Sequence, residues 1–352
     1  MGAHQGLGAY QAIVGWMTGL GVPDWLAGIL YRVGAGLLMM VFISVVVLWL
    51  IYMLRKEMGH MQLRMGPNVT GPLGLFQTVA DAIKILTKED IIPAAADRPI
   101  FMLAPFVVFF STGMLYMVLP LAPTWIINNV NVGLLFFVAF GSLTAFGIMM
   151  AGWGSNNKYS LVGGMRSVAQ IVSYEVPMVL SLLGVAMLAG TLSTGGIVGA
   201  QRHVWFILLQ PLGFLIYFLC GLAETNQTPF DLPEGESELV SGFNTEYSGM
   251  RFALFYLAEF ANSFAISAMI TTLFLGGWHG PVLPFLPWLW PFIWFMVKTL
   301  LVVFVMYWIR STWLRLRIDQ VMSLTWKVLV PLALLNVFIS VGEMAIVRVI
   351  GG

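Results

Sequence analysis

Long apolar runs separated by short polar stretches dominate this chain of 352 residues. A helix of about 20 apolar residues spans a hydrocarbon core of ~30 Å. Eight runs of about this length occur, near 31–54, 100–120, 132–152, 168–190, 205–223, 250–275, 288–309 and 326–348. Because lipid offers no partner to backbone N–H and C=O groups, such runs form helices. The pattern predicts an all-α polytopic membrane protein with eight transmembrane helices.

Positive charges predict how these helices are oriented. Thirteen of the seventeen Lys and Arg residues lie in or beside the loops after the first, third, fifth and seventh runs. Loops rich in Lys and Arg stay in the cytoplasm. We therefore predict a multi-pass protein of the cell (inner) membrane with both termini on the non-cytoplasmic side. It would consist of an N-terminal non-cytoplasmic segment, 1–30, and a single membrane domain, 31–348.

Composition excludes several classes of protein and site. Hydrophobic residues make up 59% of the chain and charged residues 9%, with a mean hydropathy of +0.89, so a soluble domain is excluded. The lone cysteine, Cys220, rules out disulfides and iron–sulfur ligation by this chain. The four histidines show no metal-ligand spacing, and no glycine-rich phosphate loop follows a strand. We expect no metal site, no catalytic residue and no nucleic-acid partner.

An amphipathic helix is predicted at about 72–88, within the long loop 55–99. Pro72 suits a first helical turn. The apolar positions at helical spacing are Leu75, Phe76, Val79, Ala80, Ile83 and Leu86, and the polar positions opposite them are Gln77, Asp81, Lys84 and Lys88. The apolar side can lie on lipid or on neighbouring helices. The polar side is either a solvated charge stripe, or Asp81 and Lys84 line a cavity beside the first span.

An acidic loop at about 224–249 carries the most informative chemistry. It holds six carboxylates and no Lys or Arg between 223 and 247, in a chain with only sixteen acids. These carboxylates are Glu224, Asp231, Glu234, Glu236, Glu238 and Glu246. Carboxylates crowded at the mouth of membrane helices must share, lose or pass protons. The alternative is a solvated acidic surface that docks a basic partner.

Three charged residues fall inside apolar runs, where an unpaired charge is costly. Glu175 lies in the fourth run and could pair with Arg166 as part of the structure. Glu259 lies in the sixth run and Lys298 in the seventh. The simplest expectation is that Glu259 and Lys298 form a buried ion pair or share water.

Several long motifs resemble one membrane-protein family. They are RMGPN…GPLGLFQTVADAIKILTKED, AGWGSNNKYSLVGGMRSVAQIVSYEVP, AETNQTPFDLPEGESELVSGFNTEYSGMRFALFYLAEF and the late Asp319-Gln320-Val321-Met322. In this order they resemble the H subunits of bacterial NADH:quinone oxidoreductase, which is respiratory complex I, and the mitochondrial NADH dehydrogenase subunit 1. The resemblance runs from about residue 31 to 348.

The resemblance implies a membrane subunit at the junction of the electron-transfer and proton-pumping arms. Quinone would be its substrate, while FMN and iron–sulfur clusters would belong to partner subunits. The implied partners are the peripheral arm at the quinone site, the antiporter-like membrane subunits and lipid. By motif, the implied quinone-tunnel residues are Arg64, Asp81, Lys84, Phe230 and Arg251. The implied proton-coupling residues are Arg166, Glu175, Glu224, Asp231, Glu234, Glu236, Glu238, Glu246 and Glu259.

Two departures from the family pattern concern the quinone entrance. Many members have a glutamate where this chain has Leu54, ahead of Arg55 and Lys56. Glu57, three residues further on, is expected to face elsewhere on the helix. Members also often have an arginine where Val69 stands, so the entrance turn is less basic here.

Two other functions fit parts of the pattern. A membrane-anchor subunit of an energy-converting hydrogenase would share the fold without binding quinone. A stand-alone ion channel or carrier would transport ions as a single purified chain. The length and order of the motifs favour the quinone oxidoreductase over both.

Overall fold

The computed structural model describes residues 7–123, 130–282 and 286–351, and the regular elements in these ranges are all helices. The all-α prediction is thereby confirmed. The α-helices are α1 (Leu7–Gly19), α2 (Asp24–Met61), α3 (Gln77–Thr87), α4 (Arg98–Leu115), α5 (Gly133–Gly154), α6 (Lys158–Ala189), α7 (Thr194–Ala200), α8 (Phe206–Leu209), α9 (Pro211–Glu224), α10 (Glu236–Leu239), α11 (Gly249–Phe274), α12 (Trp290–Thr312), α13 (Ile318–Leu324) and α14 (Val330–Gly351).

Seven helical spans in the described ranges are long and apolar enough to cross a membrane. They are α2, α4 with the helical turn after it, α5, α6, α11, α12, and α13 continued through a π-helical turn into α14. Seven of the eight predicted spans are thus found. The first span extends beyond the predicted run 31–54 at both ends. Helix α2 has 38 residues and measures about 57 Å at 1.5 Å per residue.

The fifth predicted span, 205–223, differs from the prediction. It is divided at Gln210 into the single turn α8 and the 14-residue helix α9. The cause is local, since a residue before proline is driven out of the helical region, and Gln210 precedes Pro211 with φ −124° and ψ 61°. At about 21 Å, α9 is shorter than a ~30 Å hydrocarbon core.

The core is centred on α11. In the most apolar stretch of α11, 78% of the residues are buried, whereas the corresponding share is 56% or less in the other spans. The reason is that α2, α4, α9 and α12 pack around α11. Helix α9 packs against α6, α11 and α14. Both ends of α9 therefore lie inside the bundle, and Gln210 and Glu224 are buried there.

The first loop and the acidic loop meet at one end of the bundle. The Ile91 amide donates a hydrogen bond to Ser248 Oγ at 2.9 Å. Gly249 has φ +54°, and a Cβ there would lie 3.1 Å from the Lys88 carbonyl oxygen. This close approach requires glycine, and it places α3 in contact with α2 and α11.

Candidate functional site

The acidic loop is folded tightly against α6. Gly242 has φ +56°, and a Cβ there would overlap the Pro233 carbonyl oxygen at 1.7 Å. A Cβ on Gly163 of α6 would lie 2.9 Å from Gly242 Cα, from Phe243 N and from Pro233 O. The loop backbone therefore reaches van der Waals contact with the helix, and its carboxylates are held close to the bundle.

Three of the predicted carboxylates line one cavity. Glu224, Glu234 and Glu259 surround it together with the amides of Asn244 and Asn262. The space open to the centre of a water molecule is about 30 Å³. Since roughly 10–15 Å³ measured in this way holds one water, there is room for about two. The cavity can therefore connect the three carboxyl groups through water.

Glu224 is the most enclosed of these acids. It ends α9 and is 6% exposed. Its Oε1 lies 2.9 Å from the position that a Cβ on Gly141 of α5 would occupy, so glycine makes room for the carboxyl group. Its Oε2 has no hydrogen-bond partner among the described residues. Glu175 of α6 is close enough to interact electrostatically with Glu224.

Glu259 is held by a cation that the sequence did not single out. Its Oε1 lies 3.5 Å from Arg310 Nη1 and 3.5 Å from Gln227 Nε2. The same Arg310 nitrogen donates to Gln227 Oε1 at 2.8 Å. Asp231 is a further electrostatic neighbour of Glu259. In the sequence, Arg310 is one of the thirteen positive charges in or beside the predicted cytoplasmic loops, and no partner was predicted for it.

The expected pair between Glu259 and Lys298 is wrong. Lys298 Nζ donates to three backbone carbonyls after α11, those of Leu275, Gly277 and His279, at 2.7, 3.1 and 2.7 Å. These carbonyls lie at the end of α11 remote from Glu259. Helix C-termini leave carbonyls without partners, and an ammonium group satisfies them. The sequence prediction considered only carboxylates as partners of Lys298, whereas its partners in the structure are backbone carbonyls.

Glu238, which lies outside the membrane spans, forms salt bridges with two arginines. Arg166 Nη1 lies 2.6 Å from Glu238 Oε2, and Arg315 Nη2 lies 2.9 Å from Oε1. Hydrogen bonds from Arg166 and then Arg315 lower the pKa of Glu238 below 4.5, against a smaller effect of burial. The alternative in which Arg166 pairs with Glu175 is therefore not what the structure shows.

Other predicted residues tie the acidic loop, and α11 after it, to neighbouring segments. Glu246 accepts a hydrogen bond of 2.6 Å from Asn157, whose Oδ1 in turn caps α6 at the Tyr159 amide. Arg251 pairs with Asp90 at 3.2 Å. Phe230 is buried, and Gln170 donates to its carbonyl oxygen at 2.9 Å. The side chain of Glu236 lies outside the described residues.

The predicted entrance residues fall at the edge of the bundle. Asp81 of α3 forms a salt bridge with Arg55 of α2, so it faces the first span. Lys84 is exposed, as is Arg64, whose Nε donates to Gln62 at 2.7 Å. The apolar stripe of α3 is also uncovered in the single chain, with Val79 40% and Ile83 57% exposed.

Glu57 is a buried carboxylate whose position on the helix was predicted wrongly. It is 7% exposed, and neither of its oxygens has a hydrogen-bond partner among the described residues. Leu50, Leu54 and Glu57 are all buried on α2. The spacing of four and three residues puts them on one face. Glu57 thus shares the face of Leu54, and this spacing was the signal that could have shown it.

Comparison with known proteins decides the family. The model of a family described as NADH dehydrogenase matches residues 35–341, which is most of the chain. The chain belongs to the NADH dehydrogenase family. It is 54% identical over 305 residues to the H subunit of the NADH-quinone oxidoreductase of Dehalococcoides mccartyi (strain CBDB1), covering 87% of this chain and 84% of that relative.

A second relative extends the coverage. The chain is 50% identical over 319 residues to the H subunit of the NADH-quinone oxidoreductase of Geobacillus kaustophilus (strain HTA426), covering 90% of this chain and 95% of that relative. The resemblance drawn from the motifs is confirmed, and it extends over most of the chain. In this member of the NADH dehydrogenase family, the cavity between α9, α11 and the acidic loop is the candidate functional site.

Proposed function

We propose that this chain is the H-type membrane subunit of a proton-pumping NADH:quinone oxidoreductase, and that its carboxylate cavity couples quinone reduction to proton translocation. The observation that carries the coupling role is the meeting of Glu224, Glu234 and Glu259 around one small cavity. Carboxyl groups in such a setting influence one another's protonation, and their titrations become coupled. A charge change at one end is then felt along the set.

The three acids are held in different ways, and this difference supports a relay. Glu259 faces the guanidinium of Arg310 and the amide of Gln227, which favour its charged form. Glu224 has Oε2 without a partner among the described residues, so no fixed donor holds its charge. A proton entering the cavity is best accepted where no cation competes with it. We assign Glu224 as the group that gains and loses a proton, and Glu259 as the neighbouring acid that Arg310 and Gln227 hold in place.

Helix α3 forms part of the quinone entrance in this proposal. Its exposed apolar stripe, with Val79 and Ile83, offers a surface for an isoprenoid tail or for lipid. The Arg55–Asp81 salt bridge holds the helix against α2. Phe230 ties the acidic loop to α6, and Arg251 joins α11 to Asp90 of the first loop. Arg64 and Lys84 are exposed and remain available to partner subunits. Quinone is the substrate, whose reduction takes two electrons and two protons.

Partner subunits complete the enzyme in this proposal. FMN and the iron–sulfur clusters would reside on them and deliver electrons to the quinone. The peripheral arm would contact the end of the bundle that carries α3 and the acidic loop. The antiporter-like subunits would receive the protonation signal laterally. The end with α3 would face the cytoplasm, with both termini on the other side.

The test is Glu224→Gln in the assembled complex. Glutamine is nearly isosteric with glutamate but carries neither the charge nor the exchangeable acid proton. We expect quinone-dependent turnover and proton translocation to fall together, while NADH oxidation by ferricyanide, which does not use this subunit, is preserved. Glu224→Asp keeps the titrating group and should be milder. An assembled Glu224→Gln enzyme with normal turnover and a normal proton-to-electron ratio would contradict the proposal.

A further inference from the structure

A line of buried polar groups follows one face of α9 away from the cavity. Gln210, Tyr217 and Glu224 are spaced by seven residues, which is two helical turns, so they share a face. Glu224 is an electrostatic neighbour of Tyr217 and of Cys220 between them. Tyr217 is fully buried, and its hydroxyl has no hydrogen-bond partner among the described residues. Such groups are rare, because a buried polar group without a hydrogen bond destabilises the folded state.

The line continues where α9 meets α14. Gln210 Nε2 donates to Ser340 Oγ at 2.5 Å, and both side chains are buried. A Cβ on Gly213 would lie 3.0 Å from Asn336 Nδ2 and 3.4 Å from Gln210 Oε1. Neither of these two atoms has a partner within the described ranges. Glycine at 213 leaves the room in which the two amides face each other.

Helix α14 extends the line toward its own C-terminal end. Asn336, Ser340 and Glu343 are spaced by four and three residues and lie on one face. Glu343 Oε2 is buried and, among the described side chains, has no partner. An ionisable residue within a membrane helix marks a functional site by default. Glu343 therefore supplies a second titratable end, opposite to Glu224.

The length of the line matches the membrane. From Glu224 to Gln210 along α9 is about 21 Å at 1.5 Å per residue. From Ser340 to Glu343 along α14 adds about 4.5 Å. The sum is close to the ~30 Å thickness of the hydrocarbon core. The polar groups thus extend across most of the membrane within this one chain.

We propose that α9 and α14 carry a water-filled proton path from the Glu224 cavity to the opposite membrane face. The inference rests on the proposed role of Glu224 as the group that exchanges protons. Ordered water satisfies buried polar atoms that lack protein partners. The Tyr217 hydroxyl can both donate and accept, so it can take one proton and release another. The Ser340 hydroxyl donates to the Asn336 carbonyl at 2.8 Å and so positions the Gln210 amide. Gln210 and Asn336 orient water without ionising, and Glu343 releases the proton at the far end.

Tyr217→Phe is the decisive variant, because it removes a hydroxyl that has no partner among the described residues. If Tyr217 were purely structural, losing an unsatisfied hydroxyl would be nearly neutral or stabilising. We expect instead that the assembled complex in inverted membrane vesicles loses most of its NADH-driven proton translocation, with the ferricyanide reaction intact. Asn336→Leu should give the same loss from the α14 side.

Tyr116→Phe is the matched control. The Tyr116 hydroxyl is equally buried but donates to the Ala261 carbonyl at 2.7 Å, away from this line. Its variant should lose some stability and keep its proton-to-electron ratio. Normal translocation in assembled Tyr217→Phe and Asn336→Leu overturns the path. If Glu224→Gln is then impaired, only the path is lost; if Glu224→Gln is also normal, the proposed function fails as well.

Discussion

Arg310 and Glu259 form an ion pair between two transmembrane helices, with Arg310 Nη1 3.5 Å from Glu259 Oε1 and Gln227 bonded to both. The Arg310 side chain is 23% exposed and the Glu259 side chain 16%. Partly buried charges of this kind depend on each other, since either one alone lacks compensation in a poorly hydrated site. The pair joins α11 and α12 beside the carboxylate cavity.

Arg310→Met should therefore destabilise the subunit strongly. Removing one partner of a buried pair costs about 3–5 kcal/mol, and removing both often costs less. We expect the Arg310→Met/Glu259→Gln double variant to assemble better than Arg310→Met alone, measured as subunit content in washed membranes. Lys298→Met supplies the control, because its partners are backbone carbonyls. Adding Glu259→Gln to Lys298→Met should rescue nothing; rescue there but not with Arg310 would reverse the assignment.

The comparison between these two cations shows what the sequence could and could not predict. Hydropathy predicted the all-α class and eight spans, of which seven are found in the described ranges, because these features depend on composition along the chain. The partner of Glu259 depends on which helices pack together and on which end of α11 each cation reaches. Lys298 and Arg310 look alike in a sequence, and only tertiary packing separates them. The division of the fifth span at Gln210, by contrast, has a local signal in the sequence, which is Pro211.

The Glu238 cluster predicts a pH dependence. Arg166 and Arg315 hold the pKa of Glu238 below its value of 4.5 in an unfolded chain. The folded state then binds fewer protons than the unfolded state between the two pKa values. The stabilisation is complete above pH ~4.5 and is lost as the pH falls through the folded pKa. Since Glu238 is 48% exposed, the effect is small and screened by salt.

The measurement is the thermal midpoint of the purified complex between pH 6 and pH 3, a range that includes the predicted loss below pH ~4.5. Glu238→Gln should lower the midpoint at pH 6 and flatten its dependence on pH, because the amide cannot titrate. High salt should reduce the difference between the parent and the variant. A variant whose midpoint follows the parent at every pH would show that Glu238 contributes no stability through its charge.

The apolar stripe of α3 is predicted to serve the quinone. Replacing Val79 or Ile83 with Gln puts a polar amide on a surface offered to the isoprenoid tail. The apparent KM for short-chain quinones should rise, by up to about tenfold if roughly 1.4 kcal/mol of apolar contact is lost. NADH oxidation by ferricyanide should not change. Glu89→Gln, an exposed residue just beyond α3, is the control, and equal KM values in all assembled variants would exclude this surface from the quinone route.

The last prediction concerns Gly163, which holds the acidic loop against α6. A Cβ there meets three backbone atoms at 2.9 Å, and backbone cannot move aside as a flexible side chain can. Gly163→Ala should therefore displace the loop, at a cost of about 1–3 kcal/mol for overpacking. Because the loop supplies Glu234 to the cavity, quinone-dependent proton translocation should fall more than the ferricyanide reaction.

Gly36→Ala is the matched control for this substitution. Gly36 also lies within a transmembrane helix, but a Cβ there meets nothing within 4 Å. Alanine favours a helix over glycine by up to about 1 kcal/mol, so this variant should be neutral or slightly more stable. If Gly163→Ala behaves like Gly36→Ala in assembly, stability and proton translocation, the close contact between the loop and α6 does not position the carboxylates. If only Gly163→Ala loses translocation, the cavity depends on that contact.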